Sequence, residues 1–401
     1  MQKRESAGME STMLRLEDTK TLYEKSFGKA KLRFFYSHGR LEIIGNHTDH
    51  QGGVCLVSGV DLGITAAVAK NDDGAIRVIS EGYAPFMFHL DELKLRKGEK
   101  GTTISLFKGV LSRMKELGYK IGGFSAALRG DLPSGSGLSS SAALEALICK
   151  IVDTLYNDGA MDPMEEAKIS QYAENVFFGK PCGLLDQIGV SYGGIAYVDF
   201  GDPENVIVEP MTYTLPLRPV LVNTGGSHAG LTPLYASIPQ DMFSVAHNLL
   251  GVERLADSSM REFMSRVAVP CPAVSERAKL RAQHYFDECQ RVKEAYKALK
   301  EKDTGTFLQD IRFSQESSRA LLANTFVPGR YDRSPQQGVD IASKIIGHGA
   351  VRIMGGGFAG SILCFVYPED LEEFIVNMSR YYGKDNVTPL TILDGGPREV
   401  K

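Results

Sequence analysis

The stretch GRLEIIGNHTDHQGG, residues 39–53, gathers an Arg, an Asn, two His, an Asp and several Gly around a short apolar run. Such a set can grip a small molecule covered in hydroxyls, or simply fill a polar turn. Two further stretches are rich in small residues: PSGSGLSSSA at 133–142 and GGGFAG at 355–360. In the first, backbone N–H groups can approach a phosphate closely, and a helix that follows aims its unpaired amides at the same point. The dipole contributes about 0.3–1 kcal/mol, rising to about 2 when partly buried, so amides and a metal must share the load. Ser139, Ser140 and Ser141 offer hydroxyls to a phosphate or to Mg²⁺; a glycine turn with a serine N-cap is the other reading of the same residues. The segment is not a Walker A loop, since no GK(S/T) follows, and it lacks the third glycine of a dinucleotide fingerprint. In GGGFAG a structural bulge would need one or two glycines, so three in a row favour close backbone approach to a ligand.

The elements that must position these residues follow from periodicity. Leu144, Leu147, Ile148, Ile151, Val152 and Leu155 recur at helical spacing, which places SGSG immediately before a helix. Residues 13–28, 103–118 and 164–178 read as helices. LRFFYSHGRLEII reads as strand, turn and second strand, and residues 52–70 and GGFSAALRG as further strands. Strands are also expected around 194–209, after the loop GKPCGLLDQIG. Past the proline-flanked EPMTYTLPLRP (209–219), amphipathic segments near 239–264, 273–301 and 306–323 lead to a strand, glycine turn and strand at 350–367. That proline-flanked segment is the best domain boundary, dividing the chain into 1–212 and 213–401. Strands and helices are grouped rather than strictly alternating, so the fold class is α+β.

A chain of 401 residues with 43% apolar and 23% charged residues can bury two cores, or three. A formal net charge of -4 supplies no basic field for nucleic acid, so any phosphate must be held by local geometry. Six Cys without a CxxC pair argue against structural zinc or a disulfide framework. With no signal-type N-terminus and no apolar run approaching the ~18 residues of a membrane span, a soluble cytoplasmic protein is expected. No membrane or nucleic-acid partner is expected, and the chain is read as a monomer or weak homo-oligomer.

The order of these motifs resembles the GHMP kinase family, and within it the galactokinases, with a fourth match at AENVFFGKPCGLLDQIG (173–189). The resemblance spans roughly residues 30–365. It implies an N-terminal mixed-sheet domain, a C-terminal ferredoxin-like α/β domain, and an active site in the cleft between them. It implies ATP and Mg²⁺ as cofactors and a small sugar as substrate, phosphorylated at its anomeric hydroxyl. Asp186 would be the base that takes that hydroxyl's proton, worth roughly 10²–10⁴-fold. Arg40 would lie beside the carboxylate and the transferring phosphoryl. Ser141 and Glu174 would hold the metal. Gly135, Ser136, Gly137, Leu138, Ser139, Ser140 and Ser141 would wrap the phosphates, with Gly356 of the late glycine loop also on the nucleotide. The sugar would meet Asn46, His47, Thr48, Asp49, Gly183 and Tyr235; Asp49 can accept from two neighbouring hydroxyls.

The sequence departs from the family at instructive places. Galactokinases usually read GEHTDYNGG, so Asn46 stands where a Glu would bind the sugar's 6-hydroxyl, and His50-Gln51 replace Tyr-Asn. DHQGG is similar to the galacturonate kinases of plants, which also lack that Glu, so a C6-modified galactose is an alternative substrate. Residues 223–230 offer only His228 as a partner for a substrate carboxylate, which favours galactose. Ser37-His38 replace the usual Ala-Pro, and Ala359 replaces a loop glycine. A non-catalytic sugar sensor is the reading from another class. Against it stand a full-length phosphate loop and the retention of Arg40, Ser141, Glu174 and Asp186.

Overall fold

The computed structural model describes residues 2–133 and 137–400, with side chains from Arg15 onward. The first half builds a mixed sheet from β1 (Arg33–Ile44), β2 (Val54–Lys70), β3 (Ala75–Ser80), β4 (Phe86–His89), β5 (Phe124–Gly130), β6 (Ile195–Asp199) and β7 (Ile207–Met211). Its order runs β1-β2-β5-β3-β4, and β6 branches from β2 with β7 outside it. The branch exists because β2 is long: Val54–Ser58 pair with β6, and Ile64–Lys70 pair with β5. Five helices accompany the sheet: α1 (Gln2–Phe27), α2 (Thr103–Glu116), α3 (Ser140–Tyr156), α4 (Pro163–Tyr172) and α5 (Leu185–Tyr192). The apolar face read on α3 is the one buried, with Leu147, Ile148, Ile151 and Val152 packed among Phe35, Phe107 and Phe124.

The second half builds an antiparallel sheet from β8 (Arg218–Asn223), β9 (Ala350–Ile353), β10 (Ser361–Val366) and β11 (Val387–Pro389), in the order β11-β8-β10-β9. Six helices belong to it: α6 (Thr232–Val245), α7 (Met260–Arg266), α8 (Glu276–Glu301), α9 (Thr304–Ser317), α10 (Pro335–Ala342) and α11 (Leu371–Tyr382). The change of sheet falls between Met211 and Arg218, and β12 (Arg398–Val400) then returns to pair with β1. One apolar core joins the halves: Leu41, Ile43 and Leu56 of the first sheet pack with Val292 of α8, Phe307 of α9 and Leu363 of β10. The end of β1 and the loop after it are therefore buried between both halves. Among the described residues no helix is long and apolar enough to cross a membrane.

Three expected elements differ from those observed. Residues 33–44 form one strand, with register shifts at His38/Arg40 and Glu42/Ile44 in place of a turn. Gly39 marks a bulge, not a reversal. A Cβ there would come within 2.6 Å of Leu132 and 2.7 Å of the Leu138 carbonyl, so glycine admits the phosphate-loop segment against the strand. The helix expected over 164–178 changes to π-helical turns at Ala173–Phe178, and the one expected near 239–264 breaks at Gly251 (φ 73°) into two helices with a 3₁₀ turn between them.

Candidate active site

Asp186 stands in the first turn of α5, and Arg40 reaches it from β1. Gly189 makes the approach feasible, since a Cβ there would lie 3.0 Å from Cβ of Arg40. Arg40 donates from Nε and from a terminal nitrogen to Oδ1 of Asp186 (2.9 and 2.5 Å), and Ser139 Oγ donates to Oδ2 (2.6 Å). Arg40 also donates to the Gly137 carbonyl, which ties the phosphate loop to the same guanidinium. Burial alone would push the Asp186 carboxyl up. The Arg40 cation, the Ser139 hydroxyl and Lys180 more than offset it and hold the group below the usual carboxylate range. Ser139 occupies the N-cap position of α3 in a left-handed conformation (φ 56°) yet makes no capping bond. Its hydroxyl serves the carboxylate instead.

In the first turn of α3, Ser141 Oγ donates to Glu174 Oε1 (3.1 Å). Glu174 is buried in the π-helical turn, a local widening that recurs at functional sites. Lys180 donates to Oε1 (2.9 Å), Gln187 to Oε2 (3.0 Å), and the Cys182 thiol lies 3.7 Å from Oε2. Beside them Glu145 is fully buried, and neither of its carboxyl oxygens has a hydrogen-bond partner. Burial and the neighbouring Glu174 push its carboxyl well up. A hydroxyl, a buried carboxylate and a second buried carboxyl in one place are hard oxygen donors. That donor set fits a hard divalent cation.

The polar loop of residues 45–53 lies at the other end. His47 is held in the left-handed region (φ 59°), and its Nε2 donates to the Gly356 carbonyl (3.1 Å). Asp49 lies against Gly183, where an added Cβ would sit 3.0 Å from its Oδ2. Burial pushes the Asp49 carboxyl up, offset in part by His47, and Asp186 is near enough to add to the rise. The Tyr235 hydroxyl donates to the Gly357 carbonyl (2.8 Å), so His228 Nδ1 donates to the phenol oxygen (2.8 Å). The Tyr235 ring covers Gly356, where a Cβ would meet it at 2.9 Å.

The expected site residues thus fall into two groups joined by β1. Arg40, Gly137, Ser139, Ser141, Glu174 and Asp186 converge at one end; His47, Asp49, Gly183, Tyr235 and Gly356 converge at the other. Gly356 lies under Tyr235 beside the loop that carries His47, and Met354, two residues before it, reaches Gly137 of the phosphate loop. Leu138 sends its side chain into the core and leaves only its backbone available. Ser140 is exposed at the start of α3. Gly135 and Ser136 lie outside the described residues.

Two of the residues expected at the sugar are buried within the polar loop. Asn46 is 1% exposed, and its amide is fully engaged: Nδ2 donates to Gly355 O (2.6 Å) and Glu42 Oε1 (3.2 Å), and Oδ1 accepts from Asn324 (2.7 Å). Thr48 is fully buried, with Oγ1 bonded to the carbonyls of Gly45 and Val54. Both side chains are hydrogen-bonded within the protein, because the end of β1 is enclosed by both halves of the chain. Glu42, Lys180, Gln187, Glu145 and Asn324 were not found by sequence reasoning. Glu42, Lys180 and Gln187 stood within recognised motifs; Glu145 and Asn324 are brought in by tertiary packing alone.

Residues 105–194 match the GHMP kinases N terminal domain, and residues 21–70 match the galactokinase galactose-binding signature. A galactokinase of Glaesserella parasuis is 31% identical over 92% of this chain and 94% of its own. A galactokinase of Clostridium tetani is 28% identical over 92% and 93%. The fold is similar to that of Lactococcus lactis galactokinase complexed with galactose (TM-score 0.81, 23% identity, covering 96% of this chain and all of that one). The Methanococcus jannaschii mevalonate kinase shares it more distantly, at a TM-score of 0.65 and 15% identity.

Proposed function

Because the chain belongs to the galactokinase family, we propose that it transfers the terminal phosphoryl of ATP to the anomeric hydroxyl of galactose in a Mg²⁺-dependent reaction. The observation that carries this reading is the Asp186 carboxylate, held on both oxygens by Arg40 and Ser139 and lying near Asp49 and Gly183. A sugar gripped by Asp49, His47 and Tyr235 would present a hydroxyl to Asp186, while residues 137–141 face the phosphates from the other side.

Bound Mg²⁺ would neutralise phosphate charge, with Ser141 and Glu174 as its protein donors. Asp186, held below the ordinary carboxylate range, is a weak base. It suits a loose phosphoryl-transfer transition state, in which the proton leaves late and positioning dominates. Arg40 keeps the carboxylate ionised and stabilises charge developing beside it. Tyr235 and His47 hold the late glycine loop over the sugar end through its own carbonyls. The two-unit division near residue 212 and a cytoplasmic setting for six free thiols belong to the same reading.

A panel of free sugars with Mg-ATP, read by ADP release, tests it. Galactose should be the preferred aldose, with galacturonate poorer in kcat/KM. A preference of about a hundredfold for the acid would overturn the substrate, since that exceeds what one apolar contact discriminates. Absence of ADP with every aldose would leave a sugar sensor.

A further inference from the structure

The loop that carries His47 and Asp49 is held from behind by two buried side chains of α8. Glu288 Oε1 accepts from the backbone N–H of Gly45 (3.2 Å) and of Asn46 (3.4 Å). One turn earlier on the same face, His284 Nε2 lies 2.9 Å from the Asn46 carbonyl. A carbonyl only accepts, so Nε2 carries the proton. Nδ1 is then a bare lone pair, and it accepts from Ser317 Oγ of α9 at 2.8 Å. Ser314 of α9 donates to Glu288 Oε1 (2.6 Å), and Arg291 Nε donates to Oε2 (2.9 Å). Both His284 and Glu288 are fully buried.

The peptide groups on either side of Asn46 are therefore fixed immediately before His47, a non-glycine residue in the left-handed region. Such strain persists only where the surroundings over-determine it. We propose that His284 and Glu288 are positioning residues for sugar recognition: α8 and α9 clamp the backbone at residues 45–46, and the clamp sets where His47 and Asp49 meet the sugar. The inference rests on the reading that this loop holds the sugar. Charge supports it. Burial drives the His284 ring down to about 4, leaving it neutral with a defined tautomer, while Arg291, Arg352 and the Ser314 hydroxyl outweigh burial at Glu288 and hold it near 2. The grip is thus unchanged across the neutral range. The clamp bonds to the backbone of residues 45–46 and to α9, with no hydrogen bond to Arg40, Ser139, Ser141 or Asp186, so it should act on sugar affinity alone.

The test is steady-state kinetics with each substrate varied separately, on wild type, His284→Leu, His284→Gln and Ser317→Ala. Leaving a buried carbonyl unpaired typically costs about tenfold in an equilibrium. His284→Leu should therefore raise KM for the sugar about tenfold, with KM for ATP within about twofold and kcat within about threefold. His284→Gln, whose amide can reproduce the Nε2 donor, should return most of that affinity. If His284→Leu does not fold, Ser317→Ala, which frees the ring tautomer, should still raise KM for the sugar about threefold. Variants that lose folded protein while the remainder keeps the wild-type KM would overturn the clamp and assign these residues to stability alone. A wild type that responds to no sugar, in turnover or in thermal shift, would instead sink the parent reading and the clamp with it.

Discussion

At Asp186 three interactions decide the chemistry. Burial raises the carboxyl, and Arg40 with Ser139 lowers it by more. The sign for activity follows: the ionised form is the working form, so an acid limb from this group lies below about pH 4, the ordinary carboxylate value. Removing the cation reverses the balance. In Arg40→Met the largest offset to burial is removed, the Asp186 pKa rises, and the acid limb of kcat/KM should move upward toward neutral pH. The rate at neutral pH should also fall by about 10²-fold, the usual loss for a donor aimed at developing charge. A kcat/KM profile measured from pH 5 to 9 that keeps the wild-type shape, whatever its height, would show that Arg40 does not set this pKa. Asn46 shows the opposite case at the same scale. Its identity suggested a contact with a substrate substituent, yet each of its polar atoms is used inside the protein.

Among the elements, the loop of residues 45–53 is built by reciprocal fit rather than by its own sequence. Asn46 donates to Glu42, Glu42 lies 3.5 Å from Arg352 of β9, and all three are buried. A glutamate at 46 would set a second carboxylate against Glu42 and against the Gly355 carbonyl, with no donor to give either. Asn46→Glu should therefore cost about 3–5 kcal/mol in urea-induced unfolding, the usual penalty for an uncompensated buried charge. Glu42→Gln alone weakens the hold on Arg352, but combined with Asn46→Glu it supplies the missing donor. The double variant should recover at least about 1 kcal/mol relative to the sum of the singles, and strictly additive losses would refute the pairing. The same reciprocity explains what the sequence could and could not reveal. The helical face of α3, the strands and the glycine-serine loop follow from local periodicity and backbone permissiveness, so they were legible. Gly39 was misread because glycine marks a turn and a bulge equally, and the deciding atoms belong to Leu132 and Leu138, about a hundred residues away. Asn324, His284 and Glu288 lie in ordinary amphipathic helices or their ends, where a buried polar residue has no periodic signature.

Over the whole molecule, the chain crosses back to its beginning after the second sheet is complete. Thr391 and Asp61 exchange hydrogen bonds (2.8 and 2.9 Å), and Leu393 N donates to Gly59 O (3.2 Å). His38 Nε2 lies 3.0 Å from Gly395 O, and Arg33 takes Glu399 in a two-pronged pair (2.6 and 2.7 Å) beside the β12–β1 ladder. This strap also passes under the C-terminal end of α5: Gly193 bridges Asp394, and a Cβ at Gly396 would collide with the backbone of Ser191. The helix whose first turn carries Asp186 is thus braced at its last turn by the end of the chain. Each internal hydrogen bond contributes about 0.5–1.5 kcal/mol net, so a chain ending at Leu390 should lose roughly 3–6 kcal/mol and melt at a clearly lower temperature. If the strap only stabilises, the folded fraction of the truncated protein will keep the wild-type kcat. If it also sets the tilt of α5, kcat will fall by about tenfold at saturating sugar and ATP, because small misplacements of a reacting group are costly even when binding survives. The bracing contacts favour the second outcome, and active-site titration of the truncated chain beside its kcat separates the two.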